Sequence, residues 1–216
     1  MSGKTGIFAV IPVKLLRDSK SRLSGILDSE QRQFLTLLML EDVVAAIQLS
    51  RLTERILVVT PDEQVIRFAH GLGVESFESN YSDLNSDLEC AIAWCIEKEA
   101  ESVLVILADI PTLSEADLRN IVVPLLQYPN AVLSPSKDGG TNVLLLHPCG
   151  LIRPCFGVGS FKRHLGELKS VGAEVSVYRS EGTSLDIDSP EDIRELLRST
   201  TISHLKSLSY LRTLIS

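Results

Sequence analysis

Aromatic residues are scarce in this 216-residue chain, 5% of the total against 44% hydrophobic residues overall. The core must therefore be built from Leu, Ile, Val and Ala. There is no excess of basic charge either, with a formal net charge of -7 at pH 7. That excludes the basic face of a nucleic-acid binder, but not a nucleotide ligand, for which a few local cations and a metal suffice. The apolar run at residues 6–13 is too short to cross a bilayer and has no small-residue cleavage site, so a cytoplasmic protein with no membrane partner is expected. The cysteines, Cys90, Cys95, Cys149 and Cys155, form no Cys-x-x-Cys pair. Reduced thiols used as small hydrophobes are expected, not a disulfide framework or a zinc site. No internal repeat, low-complexity stretch or linker is visible.

What the chain does contain is an alternation of strand and helix patterns. Strands are predicted at 6–12, 55–60, 74–77, 103–107, 131–134, 142–147 and 174–178. Helices are predicted at 29–49, 61–71, 82–100, 114–126, 159–171, 189–198 and 204–214. Asp28 with Gln31, and Ser114 with Asp117, resemble capping boxes, and Pro190 suits a first helical position. Strands 131–134 and 142–147 leave no room for a helix between them. The expected fold is therefore α/β, with a mainly parallel sheet and an antiparallel excursion late in the chain. We expect a main domain at 1–199 and a helical tail at 200–216. The tail's stripe of Leu205, Leu208, Leu211 and Leu214 suits packing on its own domain or on a second subunit.

Three acidic residues stand out. Asp109, in Leu107-Ala108-Asp109-Ile110-Pro111, follows an apolar run at the carboxyl end of a strand, where open α/β sheets bind ligands. Asp186 and Asp188 lie in Leu185-Asp186-Ile187-Asp188-Ser189-Pro190. If that stretch is extended, both carboxylates project from one face and Leu185 and Ile187 from the other. Three converging carboxylates would suit Mg²⁺, which usually arrives with substrate phosphates. A plain helix start accounts for Asp188, Glu191 and Asp192, but not for Asp186 or Asp109.

Three loops carry anion-binding chemistry. The first strand does not run into Gly-x-Gly-x-x-Gly, which weakens a dinucleotide-binding reading. It runs instead into a loop with Lys14, Arg17, Lys20 and Arg22. Lys14, Lys20 and Arg22 can grip a triphosphate there, or the loop is simply solvated; composition leaves both open. Asp138-Gly139-Gly140-Thr141-Asn142 is either an anion loop or a plain hairpin turn. Phe156-Gly157-Val158-Gly159-Ser160-Phe161 precedes a helix that Ser160 would cap, a place that attracts phosphate. His164, one turn in, reads as a surface histidine rather than a base. Asn85 either reaches a nucleobase or serves a helix start.

Taken in order, these pieces resemble the 2-phospho-L-lactate guanylyltransferases. The resemblance rests on Ile11-Pro12-Val13-Lys14, Ser19-Lys20-Ser21-Arg22-Leu23, Asp83-Leu84-Asn85, Ala108-Asp109-Ile110-Pro111, and the 138–142, 156–161 and 185–192 segments. It implies a single-domain nucleotidyltransferase fold, a Rossmann-like three-layer sandwich of the GT-A type. It implies GMP transfer from GTP to 2-phospho-L-lactate in coenzyme F-420 biosynthesis, with pyrophosphate released and phosphoenolpyruvate or phosphoglycerate as acceptor in some relatives. By the family's motifs, Asp109, Asp186 and Asp188 would hold Mg²⁺. Thr141, Gly157 and Ser160 would hold the acceptor, with Asn85 and Asn142 also on the substrate side. Lys14, Lys20 and Arg22 would hold the GTP phosphates. A homodimer is expected from the C-terminal stripe. The competing readings are a nucleotide-sugar glycosyltransferase, using Asp186-x-Asp188 as a metal motif, and a nucleotide sensor without turnover.

Overall fold

The computed structural model describes residues 6–79, 83–125, 130–198 and 204–214. Strands β1 (Ile7–Pro12), β2 (Arg55–Thr60), β3 (Glu75–Glu78), β4 (Ser102–Ile106), β5 (Ala131–Pro135), β6 (Thr141–Leu146) and β7 (Val175–Val177) form one sheet. Its order is β3-β2-β1-β4-β6-β5-β7. The β1–β2, β1–β4, β2–β3 and β5–β7 pairs are parallel. Strand β6 alone is inverted, running antiparallel to both β4 and β5. The expected antiparallel excursion is thus one hairpin, β5–β6, inserted into a parallel frame.

Alternation along the strands sorts side chains into two cores. Ile7, Ala9 and Ile11 of β1 face helices α1 (Ser29–Ser50), α2 (Glu63–Gly71) and α4 (Glu115–Leu125). Phe8 and Val10 face α3 (Leu84–Glu97) and α5 (Ser160–Ser170) on the other side. Period-two alternation on a sheet covered on both faces gives the three layers. The helix predicted from Ser82 and the one predicted to Leu126 each have that end outside the described residues. The short helix α6 (Glu181–Ser184) was not predicted; four residues are too few to show a helical period.

Helix α1 is long and apolar enough, by length and composition, to cross a membrane, yet 67% of its most apolar window is buried inside this fold. It has no polar face because it packs on two sides. Leu37, Leu40, Val44 and Ile47 meet the sheet, while Leu35 and Met39 meet a third cluster. That cluster contains Ile193 and Leu196 of α7 (Pro190–Arg198) and Leu208 and Leu211 of α8 (Lys206–Leu214). The C-terminal stripe is therefore spent within its own chain, which removes the argument for a second subunit drawn from it. The proposed boundary at 199–200 lies outside the described residues.

Both expected capping pairs form. Asp28 and Gln31 exchange side-chain to backbone bonds of 2.8 and 2.9 Å. Asp117 Oδ2 accepts from Ser114 N–H at 2.9 Å, and Ser114 Oγ accepts in return from Asp117 N–H at 3.2 Å. A third cap is long-range. Buried Asp42 of α1 accepts from Lys206 N–H (2.9 Å), Ser207 N–H (3.0 Å) and Ser207 Oγ–H (2.6 Å) at the start of α8. Removing a buried carboxylate that satisfies three donors leaves them desolvated and unpaired. Asp42→Ala is expected to cost about 2–3 kcal/mol in urea unfolding, and a loss below about 0.5 kcal/mol would show that α8 does not depend on this cap.

Candidate functional site

Where β1 and β4 lie side by side, their onward connections leave in opposite directions along the sheet, and open sheets form ligand crevices at such a point. A cleft of about 770 Å³ opens there. That lies within the roughly 300–1,000 Å³ typical of small-molecule sites. Its lining takes in Lys14, Lys20 and Arg22 after β1, Asp109 after β4, Gly140 to Asn142 at β6, Gly157 before α5 and Ser160 at its start. Asp186 and Asp188 complete it. Of the expected site residues, Asn85 is the one absent from the wall.

The loop after β1 is anchored on the core, while Lys14, Arg17 and Arg22 stay exposed. It folds into two 3₁₀ turns, Leu16–Asp18 and Ser21–Leu23, pinned by buried Leu16 and Leu23. Asp62, the N-cap of α2, accepts from Leu16 N–H at 2.9 Å. Between the turns Lys20 adopts a left-handed conformation (φ 51°), uncommon for a non-glycine residue. This aims its ammonium inward, where it donates to Asp109 Oδ2 at 2.8 Å and Asp188 Oδ1 at 2.7 Å. Its side chain is only 7% exposed. Burial alone would lower its pKa, but the charges of Asp109 and Asp188 prevail and raise it, so the ammonium is firmly protonated. Lys20 therefore engages the carboxylates here, not the open cleft. Lys14 and Arg22 are exposed on the cleft wall, and Arg17 lies outside it.

The acidic wall follows from an extended segment. Leu185 and Ile187 point into the third core cluster, and Ile187 N–H donates to Asp109 O at 2.9 Å. Asp186 and Asp188 consequently line the cleft. The α7 cap belongs to Ser189 and Asp192, whose Oδ2 accepts from the N–H of Asp188 and Ser189 and from Ser189 Oγ–H. That corrects the helix-start account of Asp188, because its carboxylate goes to Lys20. Burial raises Asp188, but Lys20, Arg22 and Lys14 outweigh it and hold the carboxyl below its usual range. Asp186 moves the other way. Burial first, and then the charge of Asp109, push it up to about 6.

Among the described residues, no group of three or more His, Cys, Asp or Glu side chains stands ready-made as a metal cluster. The Lys20 ammonium lies between two of the three aspartates. A divalent cation nonetheless fits Asp109 and Asp186. Asp109 Oδ1 is buried without a hydrogen-bond partner. Asp186 carries charge that its surroundings do not neutralise.

The opposite wall is held by residues expected to touch ligand. Asn85 Oδ1 accepts from Phe156 N–H (2.7 Å) and its Nδ2 donates to Phe156 O (3.2 Å), so its amide is used on the loop rather than on a nucleobase. Asn142 Nδ2 donates to Thr183 O (3.0 Å) and Asp186 Oδ1 (3.4 Å), which orients Asp186 from β6. The hairpin reading of 136–140 holds, with Ser136 N–H donating to Gly140 O at 3.1 Å, and its end also lines the cleft. Ser160 does not cap α5. The N-cap is Gly159 (φ 69°), and the Ser160 hydroxyl donates to Thr141 Oγ1 at 3.2 Å. Gly157 (φ 114°) adopts a backbone that side chains rarely allow. Arg163 was not anticipated. Its guanidinium donates to the carbonyls of Cys155, Phe156 and Val158, which turns the loop's carbonyls away from the cleft. The N–H groups of Gly157, Val158 and Gly159 have no acceptor among the described residues.

His164 is fully buried, contrary to the surface reading. Burial, then the Arg163 charge, lower its pKa from 6.5 to about 4. In the unfolded chain it takes up a proton below about pH 6.5; in the folded chain it stays neutral until about pH 4. Its contribution to stability is therefore undiminished above pH 6.5, falls as pH drops through this window, and levels off below it. The shift corresponds to about 3 kcal/mol. Urea unfolding at pH 7, 6, 5 and 4 should show this loss in the wild type and not in His164→Gln; parallel profiles would mean that the histidine is not held neutral.

Residues 7–215 match the family described as "Guanylyl transferase CofC like", and the chain belongs to that family of nucleotidyltransferase enzymes. It is 39% identical over 199 residues to the phosphoenolpyruvate guanylyltransferase of Rubrobacter xylanophilus, covering 92% of this chain and 97% of the other. It is 36% identical over 207 residues to the 2-phospho-L-lactate guanylyltransferase of Methanothermobacter thermautotrophicus, covering 95% and 90%. Among solved structures, a candidate nucleotide-diphospho-sugar transferase from Desulfovibrio desulfuricans superposes with a TM-score of 0.81 at 16% identity, over 96% of this chain and 94% of that one. A cytidylyltransferase from Leptospira borgpetersenii superposes with a TM-score of 0.62 at 16% identity, over 97% and 93%. These last two likenesses establish the fold.

Proposed function

We propose that this guanylyltransferase-family chain transfers GMP from GTP to a three-carbon phospho acid, 2-phospho-L-lactate or phosphoenolpyruvate, and releases pyrophosphate, in the cytoplasm and within coenzyme F-420 biosynthesis. Relatives carrying each acceptor's name match at similar identity. The observation that carries the reading is the division of one cleft into two walls. Carboxylates and cations stand on one side, and a hydroxyl-bearing loop with free N–H groups on the other. The four unpaired cysteines suit a reducing compartment.

The acceptor's phosphate is ionised at neutral pH, so its oxygen can attack the α-phosphorus of GTP without a protein base. The phosphorus–oxygen bond to pyrophosphate breaks as the new one forms. Catalysis then consists of positioning and charge neutralisation. Thr141, Gly157 and the 157–159 N–H groups hold the acceptor. Lys14 and Arg22, exposed on the wall beside Asp188, hold the triphosphate and offset charge on the departing pyrophosphate. Asp109 and Asp186, with Asp188 once Lys20 yields it, are the residues that would hold Mg²⁺. When bound, the ion would supply electrostatic stabilisation of the phosphoryl oxygens.

The test is pyrophosphate release from GTP and Mg²⁺ with 2-phospho-L-lactate, phosphoenolpyruvate or phosphoglycerate. Release that depends on one of the first two supports the proposal and fixes the acceptor. Release with neither, together with nucleotide released from a GDP- or UDP-sugar, would favour the glycosyltransferase reading. Asp109→Asn keeps an acceptor for Lys20 but loses the charge. We expect kcat to fall by about 100-fold or more, with stability lowered by only about 1–2 kcal/mol because Asp188 still pairs Lys20. Equal damage to fold and rate would make Asp109 a structural residue.

A further inference from the structure

We infer that His164 is a positioning residue that turns the hydroxyl proton of Thr141 into the cleft, making that hydroxyl an obligate donor to the acceptor's anionic group. This rests on the reading above, in which Thr141 faces the acceptor.

One donor at the ring has a fixed direction. The backbone N–H of Cys155 donates to His164 Nε2 at 3.0 Å. That nitrogen therefore carries no proton, and in the neutral ring the proton is on Nδ1. Nδ1 lies 3.0 Å from Thr141 Oγ1, so Nδ1–H donates to the hydroxyl oxygen. Ser160 Oγ–H donates to the same oxygen at 3.2 Å. A hydroxyl oxygen has two lone pairs and one proton. Both lone pairs of Thr141 are occupied, so its proton must leave on the remaining side, where Thr141 lines the cleft. No acceptor for that proton exists among the described residues. With the other tautomer, Nδ1 would accept, the Thr141 proton would turn inward, and the cleft would be offered a lone pair that repels anions.

The surroundings hold the ring in this state. Phe156 packs edge-on against the imidazole, with centroids 4.9 Å apart. Arg163, the adjacent cation, disfavours a second ring proton. The same α5 turn thus supplies Arg163, which orients the loop backbone, and His164, which orients the hydroxyl. His164 itself touches no substrate in this scheme.

Two measurements test the inference. The first is ¹⁵N NMR of the histidine side chains in the wild-type protein at pH 7.5, with His164→Gln identifying the His164 signals. A bare Nε2 and a protonated Nδ1 are expected; a protonated Nε2 would overturn the inference. The second is kinetic. His164→Leu should raise the acceptor KM by about 10-fold or more and leave the GTP KM within about 2-fold, and His164→Gln, which can accept from Cys155 and donate to Thr141, should recover most of the loss. Adding His164→Leu to Thr141→Val should cost nothing further. KM values for GTP and acceptor that rise together, a Gln variant no better than Leu, or additive losses in the double variant would contradict it. If the Leu variant does not fold, the wild-type tautomer decides. Absence of wild-type turnover with every acceptor would remove the functional reading and with it the proposed ligand, whereas a swapped tautomer would remove this inference alone.

Discussion

A buried ammonium between two carboxylates fixes the layout of the cleft. Lys20 bonds to Asp109 and Asp188, which lie 89 and 168 residues away in sequence. Charges taken out of water must be paired and hydrogen-bonded, or the fold loses several kcal/mol. The pair thus ties the loop after β1 to the end of β4 and to the segment before α7. The left-handed backbone at Lys20 is tolerated because the surrounding turns and both ion pairs over-determine it. With Lys20 committed to these two, Asp186 remains short of countercharge, and burial beside Asp109 pushes it up to about 6. In the proposed reading a divalent ion would supply that countercharge.

The opposite wall is built on hydrogen-bond direction rather than charge. Asn85 and Arg163 spend their polar atoms on the 155–158 backbone, and His164 spends its Nε2 there and its Nδ1 on Thr141. The result is a loop whose carbonyls face protein and whose N–H groups remain available. Preorganised donors of this kind stabilise developing or transferred anionic groups without reorganising during the reaction. The two walls differ in physics, and the difference suits two ligands of different kinds, a polyphosphate and a small carboxylate-bearing phosphate.

The strand–helix order was legible because the sheet is covered on both faces and its strands read as continuous apolar runs at Val103 to Ile106 and Val143 to Leu146. The placement of Asp109 and Asp186 on one cleft was legible too, from the end of a strand and from the buried alternation at Leu185 and Ile187, whereas Thr141 entered only through the family resemblance. Partners within the site were not. Nothing local marks Lys20 as a carboxylate partner, Asn85 as a loop clamp or Asp42 as the cap of α8, because each bond spans 71 residues or more. His164 read as surface because helical position alone does not report that Thr141 and Cys155 close over it. A hint was available in Leu16 and Leu23 within the basic loop; their burial anchors the loop on the core while Lys14, Arg17 and Arg22 stay exposed.

We propose that Asp186 completes a cation site that Lys20 fills only in part. The most direct measurement is Mn²⁺ binding, followed by electron paramagnetic resonance, in the presence of a non-hydrolysable GTP analogue, for the wild type and Asp186→Asn. The account predicts a bound ion in the wild type and loss of at least about tenfold in affinity in the variant, as expected when a charged ligand is removed. Equal affinity in the two proteins would place the ion elsewhere and contradict the account.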